Sequence, residues 1–353
     1  MTRPGSAELP SDAGGSAARS AHMFQGLRRG RRGRGGGEPT VVPEAEFRSY
    51  YGRPVLKAPV WEWKIAAYLF CGGLAAGSSV VAAGADLTNR PTLRRSSRLG
   101  SLGALLASLY FLVSDLGRPE RFHHMLRVLK PTSPMSVGTW ILSAFGAGAG
   151  AAAVSEVVPS RLRRTWPARL LHRLARPLGV SAAATAPGVA SYTAVLLSHT
   201  AVPGWSEVRD ELPFVFVGSA AASGGGFGMI CAPVSEAGPA RAFAAAGAAG
   251  ELVASRVMEH RLGLVGEVYR EGHVGRLRRA SEALTAAGLA GTLLVAHRSR
   301  AGAAASGLAL LAGSALQRFG VFEAGVASTK DPKYVVVPQR ERLDVRNGVG
   351  RES

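Results

Sequence analysis

Two long stretches without a single charge, residues 99–114 and 136–155, flank a segment crowded with charges and helix breakers. It reads Asp115-Leu116-Gly117-Arg118-Pro119-Glu120-Arg121-Phe122, and after a short interval Lys130-Pro131-Thr132-Ser133-Pro134-Met135. Each flanking run approaches the ~20 residues that cross a ~30 Å hydrocarbon core, so the charged segment belongs at a membrane face. Asp115 marks a helix end there. The residues around it read either as a capped helix followed by a solvated basic loop, or as a polar collar holding something the membrane must bind.

The other charges are also gathered in blocks. The chain is 47% apolar and 19% charged, a distribution that suits an integral membrane protein. The formal net charge of +18 and the Arg/Gly-rich run 28–37 look like a nucleic-acid binder. Arginine, however, is spread over nearly every loop between apolar runs, as expected where cations meet anionic lipid headgroups. The basic run therefore reads as a disordered tail, with no nucleic-acid partner expected.

Eight spans are expected, over residues 65–87, 99–114, 136–158, 178–199, 212–233, 240–257, 284–296 and 301–326. An even number puts both ends of the helical region on one side, and the basic tail favours the inside for both. The predicted organisation is a tail and pre-helix strap over residues 1–60, a transmembrane helical domain over 61–328 and a C-terminal tail over 329–353. The fold class is all-α, with about eight transmembrane helices packed as bundles. Trp61 and Trp63 fall where an interfacial aromatic belt belongs. Small residues four apart, Gly73 and Gly77, Gly146 and Gly150, and Ala221 and Gly225, suit close backbone approach in lipid. Gly224-Gly225-Gly226 is a place where the fifth span could break.

Many small membrane anchors of redox enzymes hold b-type haem between paired histidines on facing helices. Of the eight histidines, only His199 and His297 stand at span ends, so no haem is expected. No His, Cys or Asp set has metal-ligand spacing, and Cys71 and Cys231 suggest neither a disulfide framework nor a cluster.

What remains are polar groups inside spans, which are functional candidates by default. Tyr192, mid-span, can donate a hydrogen bond to a carbonyl oxygen such as a quinone's, or be satisfied by a neighbouring helix. Tyr68 lies one turn inside the first span, four residues after Lys64, which either shares its face or snorkels. Glu251 and Glu323 are candidate buried carboxylates that either relay protons or neutralise Arg256 and Arg318.

Several segments together resemble the NrfD/PsrC family of membrane subunits from molybdoenzyme complexes. They are the run 68–77, the segments 115–122 and 130–140, the run 192–199 with Pro203 and Trp205, Glu211-Leu212-Pro213-Phe214, and Phe322-Glu323-Ala324-Gly325 leading into Asp331-Pro332-Lys333-Tyr334. They cover most of residues 50–340. The resemblance implies an eight-helix subunit without haem or metal, in a bacterial plasma membrane, binding menaquinone or ubiquinone near one face. It implies two partners, a four-cluster ferredoxin-like iron–sulfur subunit and a molybdopterin catalytic subunit. The family's quinone-neighbouring tyrosine falls on Tyr192; Tyr68, Lys64 and His199 complete the expected quinone-binding set. Asp115, Arg118, Glu120, Arg121, Glu251 and Glu323 form the expected proton path or partner-docking set. The competing class is a polytopic transporter or a structural anchor without quinone chemistry, which inverted repeats or helices broken at mid-membrane would favour.

Overall fold

The computed structural model describes residues 55–346. The tail expected over residues 1–60 therefore lies, up to residue 54, outside the described residues, as do residues 347–353.

Eight long helices carry the fold: α1 (Trp63–Leu87), α2 (Pro91–Ser114), α3 (Pro134–Val157), α4 (Trp166–Ser198), α6 (Leu212–Cys231), α7 (Gly238–Arg261), α9 (Gly272–Leu294) and α10 (Arg300–Ser328). Four short helices join or follow them: a 3-10 helix (Pro119–Leu126), α5 (Pro203–Ser206), α8 (Gly266–Arg270) and α11 (Lys333–Arg346). No strand occurs among the described residues. At 1.5 Å per residue, even the 20-residue α6 spans ~30 Å. Helix starts follow local chemistry. Proline stands in the first two positions of α2, α3, α4, α6 and α7, where its missing N–H costs nothing. The Ser299 hydroxyl caps α10 through the Gly302 N–H, and Asn89 takes the positive φ that turns the chain between α1 and α2.

Five helices, α1, α2, α3, α4 and α6, are long and apolar enough to cross a membrane. The other three carry charges, yet α7 packs on α6 and α9, and α10 packs on α6 and α9. The observed helices outrun several expected spans. α2 begins at Pro91, α4 at Trp166 and α9 at Gly272, whereas apolar composition placed those starts at 99, 178 and 284. Ion pairing is the reason for α2. Arg94 and Arg98 both pair with Asp86 and Glu156 at 2.9–3.5 Å, so the helix continues through charges a hydropathy reading excludes.

The helices form two bundles. α1–α4 make the first, with α1 on α2 and on α4, and α3 on α4; α6, α7, α9 and α10 make the second. The bundles meet where α1 packs on α6 and α10 and α4 packs on α6. Alternating direction puts the start of α1, the end of α2, the 3-10 helix, α5, α8 and α11 at one end of the molecule, the first face. The loops 88–90, 158–165, 232–237 and 295–299 lie at the second face. α6 runs unbroken through Gly224–Gly226, so the break considered for the fifth span does not occur.

α1 and α6 approach backbone to backbone. A Cβ on Gly77 would run into the Ala220 carbonyl, and one on Gly224 into the Gly77 backbone. Glycine at both sites lets the two backbones touch, as packing in lipid requires. Of the three small-residue pairs, Gly146 and Gly150 make no such contact, since Gly150 faces open space.

The first face is sewn together by aromatic residues. Trp205 is fully buried, donates its indole N–H to the Val321 carbonyl at 2.8 Å and lies against Trp61 and Phe322. Of the two tryptophans expected in the belt, Trp63 is 57% exposed, whereas Trp61 is drawn inward onto Trp205.

Candidate functional site

A cavity of about 400 Å³ opens within the first bundle near the first face. Leu102, Leu105, Leu106, Leu109 and Leu112 supply one wall from α2; their spacing of three and four residues places them on one helix face. Met135, Thr139 and Leu142 from α3 supply the opposite wall, and Phe122, Met125 and Leu126 of the 3-10 helix lie across its outer end. Leu106 and Met135 are half exposed, so the space communicates with the lipid-facing surface.

The hydroxyls of Thr139 and Ser143 on α3 bond back to carbonyls of their own helix, and two further polar side chains reach the inner wall. Tyr68 of α1 and Tyr192 of α4, both buried, meet hydroxyl to hydroxyl. The pair contains two O–H groups and uses one of them between its members, leaving the second without an acceptor among the described residues. A phenol with an unused proton at the wall of an apolar cavity is a donor for a carbonyl oxygen. Tyr192 holds its place because α3 has no side chain opposite it. A Cβ on Gly138 would overlap the Tyr192 ring.

The other expected quinone-site residues are not brought here. Lys64 pairs with Glu62 at 2.9 Å, at the solvent end of α1. His199 is exposed at the C-terminus of α4. His297 lies beyond α9 on the second face, so these two histidines stand at opposite ends of the bundle and cannot share one haem.

At the mouth, Asp115 caps α2 and accepts the Glu62 N–H at 3.4 Å. Burial raises its carboxyl above the ordinary range, an effect partly offset by that N–H and by Lys64. Arg118, Glu120 and Arg121 follow at the first face, where Glu120 and Arg121 are exposed. The structure thus brings Tyr68 and Tyr192 together under a charged segment running from Asp115.

Glu251 and Glu323 belong to the second bundle. Glu251 is buried on α7, beside Ser219 and in the field of Arg318 and Arg278. Glu323 is 39% exposed and pairs with His273 at 2.8 Å, which corrects its reading as a buried carboxylate. Of the two arginines expected beside them, Arg256 pairs instead with Glu282 and Glu259, whereas Arg318 lies in the field of Glu251, stacks on the Phe216 ring and donates to the Phe216 carbonyl at 2.7 Å. A separation of five residues turns a helix by about 500°, which leaves the two side chains on different faces.

Sequence reasoning missed Gly138 and the leucine wall, and named Arg318 only as a counter-ion. The leucine spacing was a legible signal. The role of Gly138 was not, because it depends on which ring α4 presents to α3.

The family model for polysulphide reductase, NrfD, matches residues 55–238, slightly more than half the chain and all of the cavity wall.

The chain belongs to the NrfD family.

Members of this family are membrane subunits of molybdoenzyme complexes, and this multi-pass all-α chain is an anchor subunit of that kind. None of the curated proteins matches it.

Proposed function

We propose that this NrfD-family subunit binds a quinone or quinol in the first-bundle cavity and links the quinone pool of a bacterial plasma membrane to an iron–sulfur partner. That partner would be a four-cluster ferredoxin-like subunit serving a molybdopterin catalytic subunit. The observation that carries the reading is the Tyr68–Tyr192 hydroxyl pair, with one O–H not used between its members, at the wall of a largely apolar space of about 400 Å³. The space suits a quinone ring, and the leucine wall suits the start of an isoprenoid tail.

A bound menaquinone or ubiquinone supplies the two-electron, two-proton couple. Tyr192 and Tyr68 hold one ring oxygen, and their shared hydrogen bond carries the proton that oxygen gains or loses. Gly138 keeps the phenol of Tyr192 in reach. Asp115 exchanges that proton at the mouth, and Arg118, Glu120 and Arg121 meet the partner. Glu251 and Glu323 extend proton traffic into the second bundle.

Tyr192→Phe removes one hydroxyl with little change of shape. In the purified complex it should lower quinone-coupled turnover at least about tenfold, roughly 1.4 kcal/mol of barrier, while dye-linked turnover of the soluble subunits is unchanged. Unaltered quinone turnover would remove Tyr192 from the mechanism. In the quinol-oxidising direction Asp115 must be ionised to accept a proton. Turnover should therefore fall as pH drops through its raised pKa, and Asp115→Asn should abolish that limb of the pH profile.

A further inference from the structure

At the second face, far from the cavity, α4 overshoots the bundle. Ala175 of α4 is level with Arg98, whose guanidinium reaches its carbonyl at 3.5 Å, so the turns from Trp166 to Arg173 project past the ion-paired layer of Arg98, Asp86 and Glu156. Between this projection and the end of α3 lies a groove of about 220 Å³ lined by Ser155, Val158, Arg163, Arg169, His172 and Arg173.

Arg163 spends its Nε on the Val158 carbonyl at 3.3 Å. Among the described residues none of Arg163, Arg169 and Arg173 is in an ion pair. The acids on this face are already engaged, Asp86 and Glu156 by Arg94 and Arg98, and Glu236 by Thr92 and Leu93. The groove therefore carries uncompensated positive charge at the bilayer surface.

The same helical turns carry an apolar stripe beside the basic one. Trp166, Leu170 and Leu174 recur every fourth residue and are 74%, 46% and 42% exposed, which is the arrangement of a segment seated at a headgroup boundary. Acyl chains find this stripe, and a phosphate finds the arginine forks next to it.

We propose that this groove is a binding site for the phosphodiester headgroup of an anionic phospholipid. Arg163, Arg169 and Arg173 hold the phosphate, and the stripe at Trp166, Leu170 and Leu174 receives the chains. A zwitterionic headgroup would bring a cationic amine to the arginines and is disfavoured.

The full chain, purified in mild detergent and delipidated, would be given phosphatidylglycerol, cardiolipin or phosphatidylcholine, and bound lipid counted by native mass spectrometry. Inorganic phosphate would be added in a parallel series. The expected result is retention of the two anionic lipids over phosphatidylcholine. The triple change Arg163→Gln, Arg169→Gln and Arg173→Gln should lower their retention at least about tenfold, since each cation near an anionic surface contributes ~1 kcal/mol. The corresponding triple change to lysine, which keeps the charge and loses the fork, should bind better than the glutamine triple and more weakly than the unaltered chain, and Arg298→Gln in another loop of this face should leave binding unaltered.

Equal retention of phosphatidylcholine by the unaltered chain would overturn the proposal, without recourse to any variant. So would undiminished anionic-lipid binding in a folded glutamine triple. Displacement of the lipid by millimolar inorganic phosphate would make the groove a soluble-anion site and overturn it equally.

Discussion

The two bundles solve opposite problems with the same helical framework. The first encloses an apolar space and presents to it two neutral phenols. The second fills its interior with charge and amide, Glu251, Arg278, Arg318 and Gln317, all at most 5% exposed. Around them Arg278 donates to Gln317 at 3.1 Å and also bonds Glu259, and Ser219 bonds Ser314 at 2.8 Å. A neutral hydroxyl costs little to keep at the wall of an open cavity, so the first bundle can retain ligand space. A buried ion must be paired or surrounded by dipoles, so the second bundle is tied to a fixed arrangement.

The contrast is most severely tested at Glu251. Glu251→Leu removes the carboxylate whose field faces the buried Arg318, while Arg278 keeps Glu259, and should cost about 3–5 kcal/mol of stability in detergent-based unfolding. Combining it with Arg318→Met should recover most of that loss. If Glu251→Leu is tolerated and only proton release suffers, the cluster is a relay first and a structural element second.

In the first bundle the expected damage is to function. Gly138→Val forces the Tyr192 ring aside at an overpacking cost of about 1–3 kcal/mol, and quinone-coupled turnover should drop by more than tenfold while the chain still folds. Wild-type turnover in this variant would show that the position of the phenol is immaterial. The double change Tyr68→Phe and Tyr192→Phe sharpens the point. The two hydroxyls act as one unit, so the double variant should be little worse than Tyr192→Phe, and multiplicative losses would show two independent roles.

The smallest effect lies outside both interiors. Glu236 caps α2 by accepting the Thr92 and Leu93 N–H groups at 2.7 and 3.1 Å. Burial pushes its carboxyl upward, but those bonds, the Thr92 hydroxyl and Arg90 outweigh it and hold the pKa below the ordinary value. Glu236→Gln should cost about 1 kcal/mol in thermal unfolding at neutral pH. The stabilisation is present above the ordinary carboxylate pKa and lost as pH falls through the lowered one, so the variant and the unaltered chain should converge in acid.

Much of this was readable in one dimension. Uncharged runs bounded by the segment at 115–122 announced membrane helices, because unpaired charge is expensive in hydrocarbon. Asp115 at the end of α2 was legible for a local reason, since a cap involves only neighbouring residues. Tyr192 and Tyr68 stood out as polar groups within apolar spans.

Tertiary structure decided what sequence order cannot encode. That Tyr192 meets Tyr68 rather than a helix carbonyl depends on α4 crossing α1, and that Lys64 turns to Glu62 depends on which side of α1 faces the bundle. Arg94 and Arg98 stay helical because Glu156, from a different helix, neutralises them. Gly138 matters only because an aromatic ring arrives from α4. Periodicity and hydropathy report each helix's own preference for lipid or interior; which side chains share a cavity or an ion pair is set by how the helices dock, and that energy is spread over contacts distant in sequence.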